Sequence, residues 1–141
     1  MNKTKVQFYE ENVIDESKFE FAVILAKFQN KWVYCKHKKR DTWEIPGGHR
    51  EKGEEILCSA KRELKEETGA EDFSIRPIAV YSVTIGNKTN YGKLFYAEVK
   101  TINQNLEHEI EKIQLFDDIP ENLTYPEIQP LLHKYILSRI N

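Results

Sequence analysis

Cysteine is scarce in this 141-residue chain: Cys35 and Cys58 are the only two. They stand far apart, and no histidines flank them at the usual metal-ligand spacing, which argues against a zinc site. Two reduced thiols are expected, with a structural disulfide as the alternative. Long hydrophobic runs are also missing. The longest uninterrupted apolar stretch, residues 21–26, is far too short to span a bilayer. The first residues contain no apolar run resembling a secretory leader. Neither sign of charge prevails: the formal net charge is −2, so nothing draws the whole molecule toward nucleic acid or an anionic membrane. Nucleic-acid binding would need a local patch. Repeats, low-complexity segments and linkers are absent too. These observations lead to the expectation of a cytoplasmic protein without a membrane partner, folded as a single domain over residues 1–141.

What the chain does contain is an ordinary apolar fraction, 40%, arranged in short periodic segments. Residues 6–9 alternate weakly and read as a first strand. Residues 21–28 form a stronger one, short, apolar and partly β-branched. Gln29-Asn30 then reads as a turn, with Lys31–His37 as the hairpin partner. A loop punctuated by Pro46, Gly47, Gly48 and Gly53 leads to a helix expected over residues 54–68, with Gly69 as its C-terminal stop. Residues 73–85 and 90–100 read as two longer strands joined around Gly86-Asn87, and residues 113–116 as a last short one. Pro126 is placed to open a final helix whose apolar stripe is Leu131, Leu132, Tyr135, Ile136 and Ile140. The expected class is α/β, a mixed sheet layered with helices.

The helix at 54–68 carries charge where apolar residues belong. At roughly 100° per residue, Ile56, Leu57, Ala60 and Leu64 share an arc of about 100° that should face the core. Glu67 projects inside that arc, Glu63 sits about 20° from its edge, and Glu66 flanks Glu63. Carboxylates at i, i+3 and i+4 repel one another, and burying one without a partner is costly. Arg62 points to another part of the helix, so it braces one carboxylate and cannot neutralise three. A hard divalent cation with oxygen ligands would neutralise them. The alternative is a solvated Glu/Lys helix with ordinary surface pairs.

Residues 48–70, GHREKGEEILCSAKRELKEETGA, resemble the Nudix box, G-x5-E-x7-R-E-U-x-E-E-x-G-U, where U is a bulky aliphatic. Gly48, Glu54, Arg62, Glu63, Leu64, Glu66, Glu67 and Gly69 stand at matching positions. Ala70 alone departs, at a position where the family packs a larger aliphatic. The preceding Trp43-Glu44-Ile45-Pro46-Gly47 is similar to the family's usual lead-in. The resemblance implies the Nudix α/β/α sandwich, with a mixed central sheet and a loop–helix–loop metal site. It further implies that Glu63, Glu66 and Glu67, with the Gly48 carbonyl, hold Mg²⁺, for which Mn²⁺ can substitute. Glu54 and Arg62 would form a supporting ion pair, and Glu63 and Glu66 belong to the catalytic set. A further carboxylate from outside the box is common in the family; among Glu107, Glu109 and Glu111, Glu109 is the choice, against a charged surface loop.

The basic run Lys36-His37-Lys38-Lys39-Arg40 either meets phosphates at the mouth of the site or forms a solvated turn. Arg40, Trp43 and Tyr81 are the substrate-binding candidates. Tyr91, Phe95 and Tyr96 are further aromatics that either stack on a base or belong to the core. His49 reads as an exposed loop residue. The implied reaction is Mg²⁺-dependent hydrolysis of a diphosphate linkage in a nucleoside triphosphate or related nucleotide, 8-oxo-dGTP among them, giving a nucleoside monophosphate and pyrophosphate. The alternatives are removal of pyrophosphate from an RNA 5′ end and a non-catalytic nucleotide-binding module. Homodimers are common in the family and are an open expectation here.

Overall fold

The chain was analysed as a computed structural model that describes residues 3–103 and 110–140. Alternation along one strand divides its interior. In β2 (Phe19–Phe28), Ala22, Ile24 and Ala26 face one helix while Val23 and Leu25 face the other. Such a strand, apolar on both faces, belongs in the middle of a layered sheet.

The other strands are β1 (Thr4–Tyr9), β3 (Lys31–His37), β4 (Gly47–His49), β5 (Ala70–Ile85), β6 (Lys88–Ile102) and β7 (Ile110–Phe116). Their order is β1-β5-β6-β2-β3-β7, with β4 pairing on β2 beside the short β2–β3 ladder. β2 runs parallel to β6 and the other pairings between the named strands are antiparallel, so the sheet is mixed as expected. Gln29 and Asn30 both adopt left-handed φ, 52° and 65°, as the tight β2–β3 turn requires. The ladder of β5 slips between Pro77 and Ala79, where proline cannot donate.

Two helices cover the two faces. α1 (Ile56–Thr68) packs Ile56, Ala60 and Leu64 onto one face, and α2 (Gln129–Ile140) packs Leu132 and Ile136 onto the other. Gly69 ends α1 at φ 78°, its N–H bonded to the Lys65 carbonyl at 2.9 Å.

Several details differ from the sequence reading. α1 starts at Ile56, because residues 54 and 55 stay outside the helix and the Glu54 carboxylate accepts the Glu51 N–H. Leu57 is exposed, and Ser59 takes the buried place, its hydroxyl donating to Glu54 Oε1 at 2.6 Å. Gly47–His49 is a strand rather than loop, because Gly47, without a side chain, can approach the β2 backbone closely enough to pair with it. α2 opens at Gln129 rather than Pro126, and Leu131 points to solvent while His133 is buried. Among the described residues, no helix is long and apolar enough to cross a membrane.

Candidate active site

The loop from β4 to α1 is tied to the helix by one guanidinium. Arg62 donates through Nε and Nη2 to the two oxygens of Glu54, at 2.9 and 3.0 Å. The same side chain reaches the His49 carbonyl at 3.0 Å, Glu63 Oε2 at 3.0 Å and Glu66 Oε2 at 3.4 Å. Arg62 therefore braces two of the three box carboxylates as well as Glu54, more than its place on the helical wheel suggests, because the side chain is long enough to swing across one turn. The Arg62 fork, with help from Ser59 and the Glu51 amide, holds the Glu54 carboxyl down at about 2. Glu54 is thus a fixed anion at neutral pH, suited to orienting Arg62.

Glu67 receives none of this help. It is 8% exposed, as its position in the apolar arc predicts, and its Oε1 accepts the Gly47 N–H at 2.8 Å. Burial pushes its carboxyl up to about 8, with Glu63 and Glu44 nearby adding to the rise. Burial also raises Glu63, although Arg62 pulls in the opposite direction. Glu66 is the most open of the three, with a side chain 39% exposed. At Gly48, an added Cβ would overlap the Glu63 carboxyl. Glycine at this position lets a carboxylate lie against the backbone, so side-chain and backbone oxygens converge.

These groups form one wall of a cavity of about 830 Å³. Glu63, Glu66, Glu67 and Arg62 come from α1, and Gly47, Gly48 and His49 from β4. The rest of the lining includes Tyr81 and Val83 of β5, Asn90 of β6, and Tyr125, Ile128, Gln129 and Leu132 at the approach to α2. One part is acidic and oxygen-rich, the other mostly apolar. Gln129 is buried there, its Oε1 accepting the Ile45 N–H at 2.9 Å.

An all-oxygen donor set with too few cations around it fits a hard divalent ion. Glu63, Glu66, Glu67 and the Gly48 backbone are brought to one wall, as the spacing of the motif leads one to expect. Of the substrate-binding candidates, Tyr81 lines the cavity. Arg40 does not line the cavity but contacts two residues that do, its Nη1 lying 3.8 Å from Glu44 Oε2 and its guanidinium over the Tyr125 ring. Trp43 does not line it; that ring packs edge-on against Phe116, with Lys112 above it. Phe95 and Tyr96 belong to the core. Glu107 and Glu109 lie outside the described residues. Gln129, Tyr125 and Asn90 escaped the sequence reading because no local pattern marks a residue that faces a site built by other elements.

The sequence model of the NUDIX domain matches residues 16–135. This chain belongs to the Nudix family. Over 124 residues, it is 29% identical to the Bacillus subtilis (strain 168) protein named "Putative 8-oxo-dGTP diphosphatase YtkD", covering 87% of this chain and 77% of that one. Among solved structures, the Bacillus subtilis pyrophosphohydrolase BsRppH superposes with a TM-score of 0.78 at 24% identity, covering 97% of this chain and 91% of that one. A Nudix hydrolase from Nitrosomonas europaea superposes with a TM-score of 0.66 at 22% identity, covering 86% and 91%. The fold is thus the Nudix α/β sandwich, and the protein is a Nudix hydrolase. Nudix hydrolases generally use divalent metals, in keeping with the oxygen-rich wall.

Proposed function

We propose that this Nudix hydrolase cleaves a diphosphate linkage in a nucleoside triphosphate, with oxidised purine triphosphates such as 8-oxo-dGTP as the substrate class, releasing nucleoside monophosphate and pyrophosphate. The observation that carries the reading is the convergence of Glu63, Glu66, Glu67 and Gly48 on one wall of a nucleotide-sized cavity, whose other lining is mostly apolar with a single buried amide. The similarity to YtkD supports the choice of substrate class.

The three glutamates and the Gly48 carbonyl would hold Mg²⁺, or Mn²⁺ in its place. When bound, the ion neutralises phosphate charge and lowers the pKa of a coordinated water. The remaining work falls to the chain itself. The Glu54 carboxylate fixes Arg62, and Arg62 fixes Glu63 and Glu66 in the geometry they need. Glu66, the most open of the three, is the proposed acceptor of the proton from the attacking water, with Glu109 the candidate outside the box. Tyr81 and Gln129 would form the wall against which a base is held, and Arg40, beside Glu44 and Tyr125, would meet the phosphates.

A second reading, hydrolysis at a triphosphorylated RNA 5′ end, is favoured by the exposed Lys38-Lys39-Arg40 turn beside Tyr125. Phosphate and pyrophosphate release should be followed with Mg²⁺ across a panel including 8-oxo-dGTP, dGTP and triphosphorylated RNA. Preference for the oxidised nucleotide supports the first reading. Preference for RNA with steep salt dependence selects the second. Nucleotide binding without turnover would mark a sensing module instead.

A further inference from the structure

Cys35 and Cys58 are too far apart in sequence to suggest a zinc site, yet the fold gathers a different donor set around Cys35. Val33 faces the α1 side, so Cys35 and His37, two and four residues on, face the same way. An isolated antiparallel bridge sets Glu44 opposite Cys35. The last turn of α1 brings Glu67 down onto this patch. His37, Glu44 and Glu67 line the cavity, and Cys35 lies behind them with no solvent exposure.

The distances approach those of a coordination shell, with Glu44 joining the group through His37. Donor atoms of Cys35, His37 and Glu67 all lie within 4.8 Å of one another. His37 Nε2 is 3.5 Å from Glu67 Oε2 and 3.5 Å from Glu44 Oε1, and Cys35 Sγ is 3.8 Å from Glu67 Oε1. Metal–ligand lengths of about 2.0–2.3 Å place neighbouring donors of a tetrahedral ion roughly 3.3–3.8 Å apart. Glu44 Oε2 is shielded from solvent and accepts no hydrogen bond, with Arg40 Nη1 3.8 Å away. A buried carboxylate oxygen in that state has a donor position to spare. Sulfur and imidazole beside carboxylate suit a borderline ion of the zinc class, whereas Glu63 and Glu66 offer oxygen alone.

We propose that Cys35, His37, Glu67 and Glu44 form a second cation site, of the Zn²⁺ class, that shares Glu67 with the Mg²⁺ cluster. Binding there requires a neutral imidazole and transfers the Cys35 thiol proton to solvent. An ion held there commits the Glu67 carboxylate, so it opposes Mg²⁺-supported turnover. The inhibitory consequence rests on the proposed hydrolase reading, and the binding does not.

Co²⁺ is the probe. Titrated into the Mg²⁺-free wild-type protein, one equivalent is expected to produce thiolate-to-cobalt charge-transfer absorption, which Zn²⁺ abolishes by displacement. In Cys35→Ser the band disappears, and Zn²⁺ binding measured by chelator competition weakens more than roughly tenfold, the lower end of what losing even an outer partner of a ligand costs. Zn²⁺ inhibition of the same variant, measured relative to that variant's own turnover with Mg²⁺ alone, is relieved to a similar extent. Cobalt bound without the charge-transfer band would overturn the site, because the ion would then sit among carboxylates only. So would a band that survives in Cys35→Ser and vanishes in Cys58→Ser, since Cys58 lies exposed on α1. If Cys35→Ser does not fold, the wild-type spectrum together with Cys58→Ser still decides between the thiols. Absent Mg²⁺ turnover in wild type would sink the hydrolase reading and leave the cobalt result standing on its own.

Discussion

Among the described residues, the two faces of the sheet each bury one titratable helical side chain, and the two have opposite fates. On the α1 face, Glu67 is pushed up to about 8; on the α2 face, His133 is pushed down to about 4. Desolvation is the leading cause in both, and it favours the neutral form of each. The surroundings differ. His133 is sealed at 0% exposure, its Nδ1 bonded to the Tyr34 hydroxyl at 2.8 Å, its ring edge-on to Trp32 and its Nε2 without a partner. Glu67 opens onto the cavity and has Glu63, Glu66, Cys35, His37 and Glu44 around it. Burial alone perturbs a group; access and convergent donors make a perturbed group useful. Chemistry is therefore expected on the α1 face and packing on the α2 face.

Removing each group in turn separates the two faces. Glu67→Gln should reduce Mg²⁺-supported turnover by roughly 10²–10³-fold, the scale for losing a group aligned on transition-state charge. His133→Gln should leave kcat within a few-fold of wild type. Equal losses in steady-state assays of both variants would erase the distinction between the faces.

Gly48→Ala tests whether the close approach of the Glu63 carboxyl to the backbone matters. The alanine Cβ must displace that carboxyl, which is the end of a flexible side chain, so the fold survives. A shift of about 1 Å in an aligned group can cost 10²-fold, and kcat should fall on that order with an unchanged circular dichroism spectrum. Arg62→Lys should cost about 10–100-fold, because lysine cannot make the two-oxygen contact with Glu54 while also reaching Glu63 and Glu66. Mg²⁺ titrations of this variant should show weakened metal activation, with the substrate KM less affected.

The smallest effect concerns the α2 face and stability. His133 has a folded pKa of about 4, below its unfolded value of 6.5. The unfolded chain therefore takes up a proton first as pH falls, and stability is lost between about 6.5 and 4. The loss amounts to at most about 3 kcal/mol at 1.36 kcal/mol per unit. Urea midpoints across that range should fall more steeply for wild type than for His133→Gln. Parallel curves would mean that the ring is hydrated or charged in the folded protein.

Much of this arrangement was legible in the chain. Glu67 inside the apolar arc of α1, the Gly69 stop, the Gln29-Asn30 turn and the β2 and β3 strands follow from local periodicity and turn chemistry. The box spacing from Gly48 to Gly69 carried the family and the acidic wall. Positions that depend on other elements were not legible. Leu57 and Ser59 exchange places because Glu54 folds back onto Ser59. His133 is buried by Tyr34 and Trp32 on a strand about a hundred residues away in sequence. Cys35, His37, Glu44 and Glu67 meet only because a single bridge aligns residues 35 and 44 under the last turn of α1. A helical wheel shows which face a residue occupies, and nothing of what approaches that face.

Pyrophosphate release from 8-oxo-dGTP by wild type and Glu66→Gln, each with Mg²⁺ and with chelator, bears on the acidic wall itself. Turnover is expected to require the metal and to fall by roughly 10²–10⁴-fold in the variant, the range for removing a positioned proton acceptor. Turnover that persists with chelator, or is unchanged in Glu66→Gln, would contradict the proposed role of that wall.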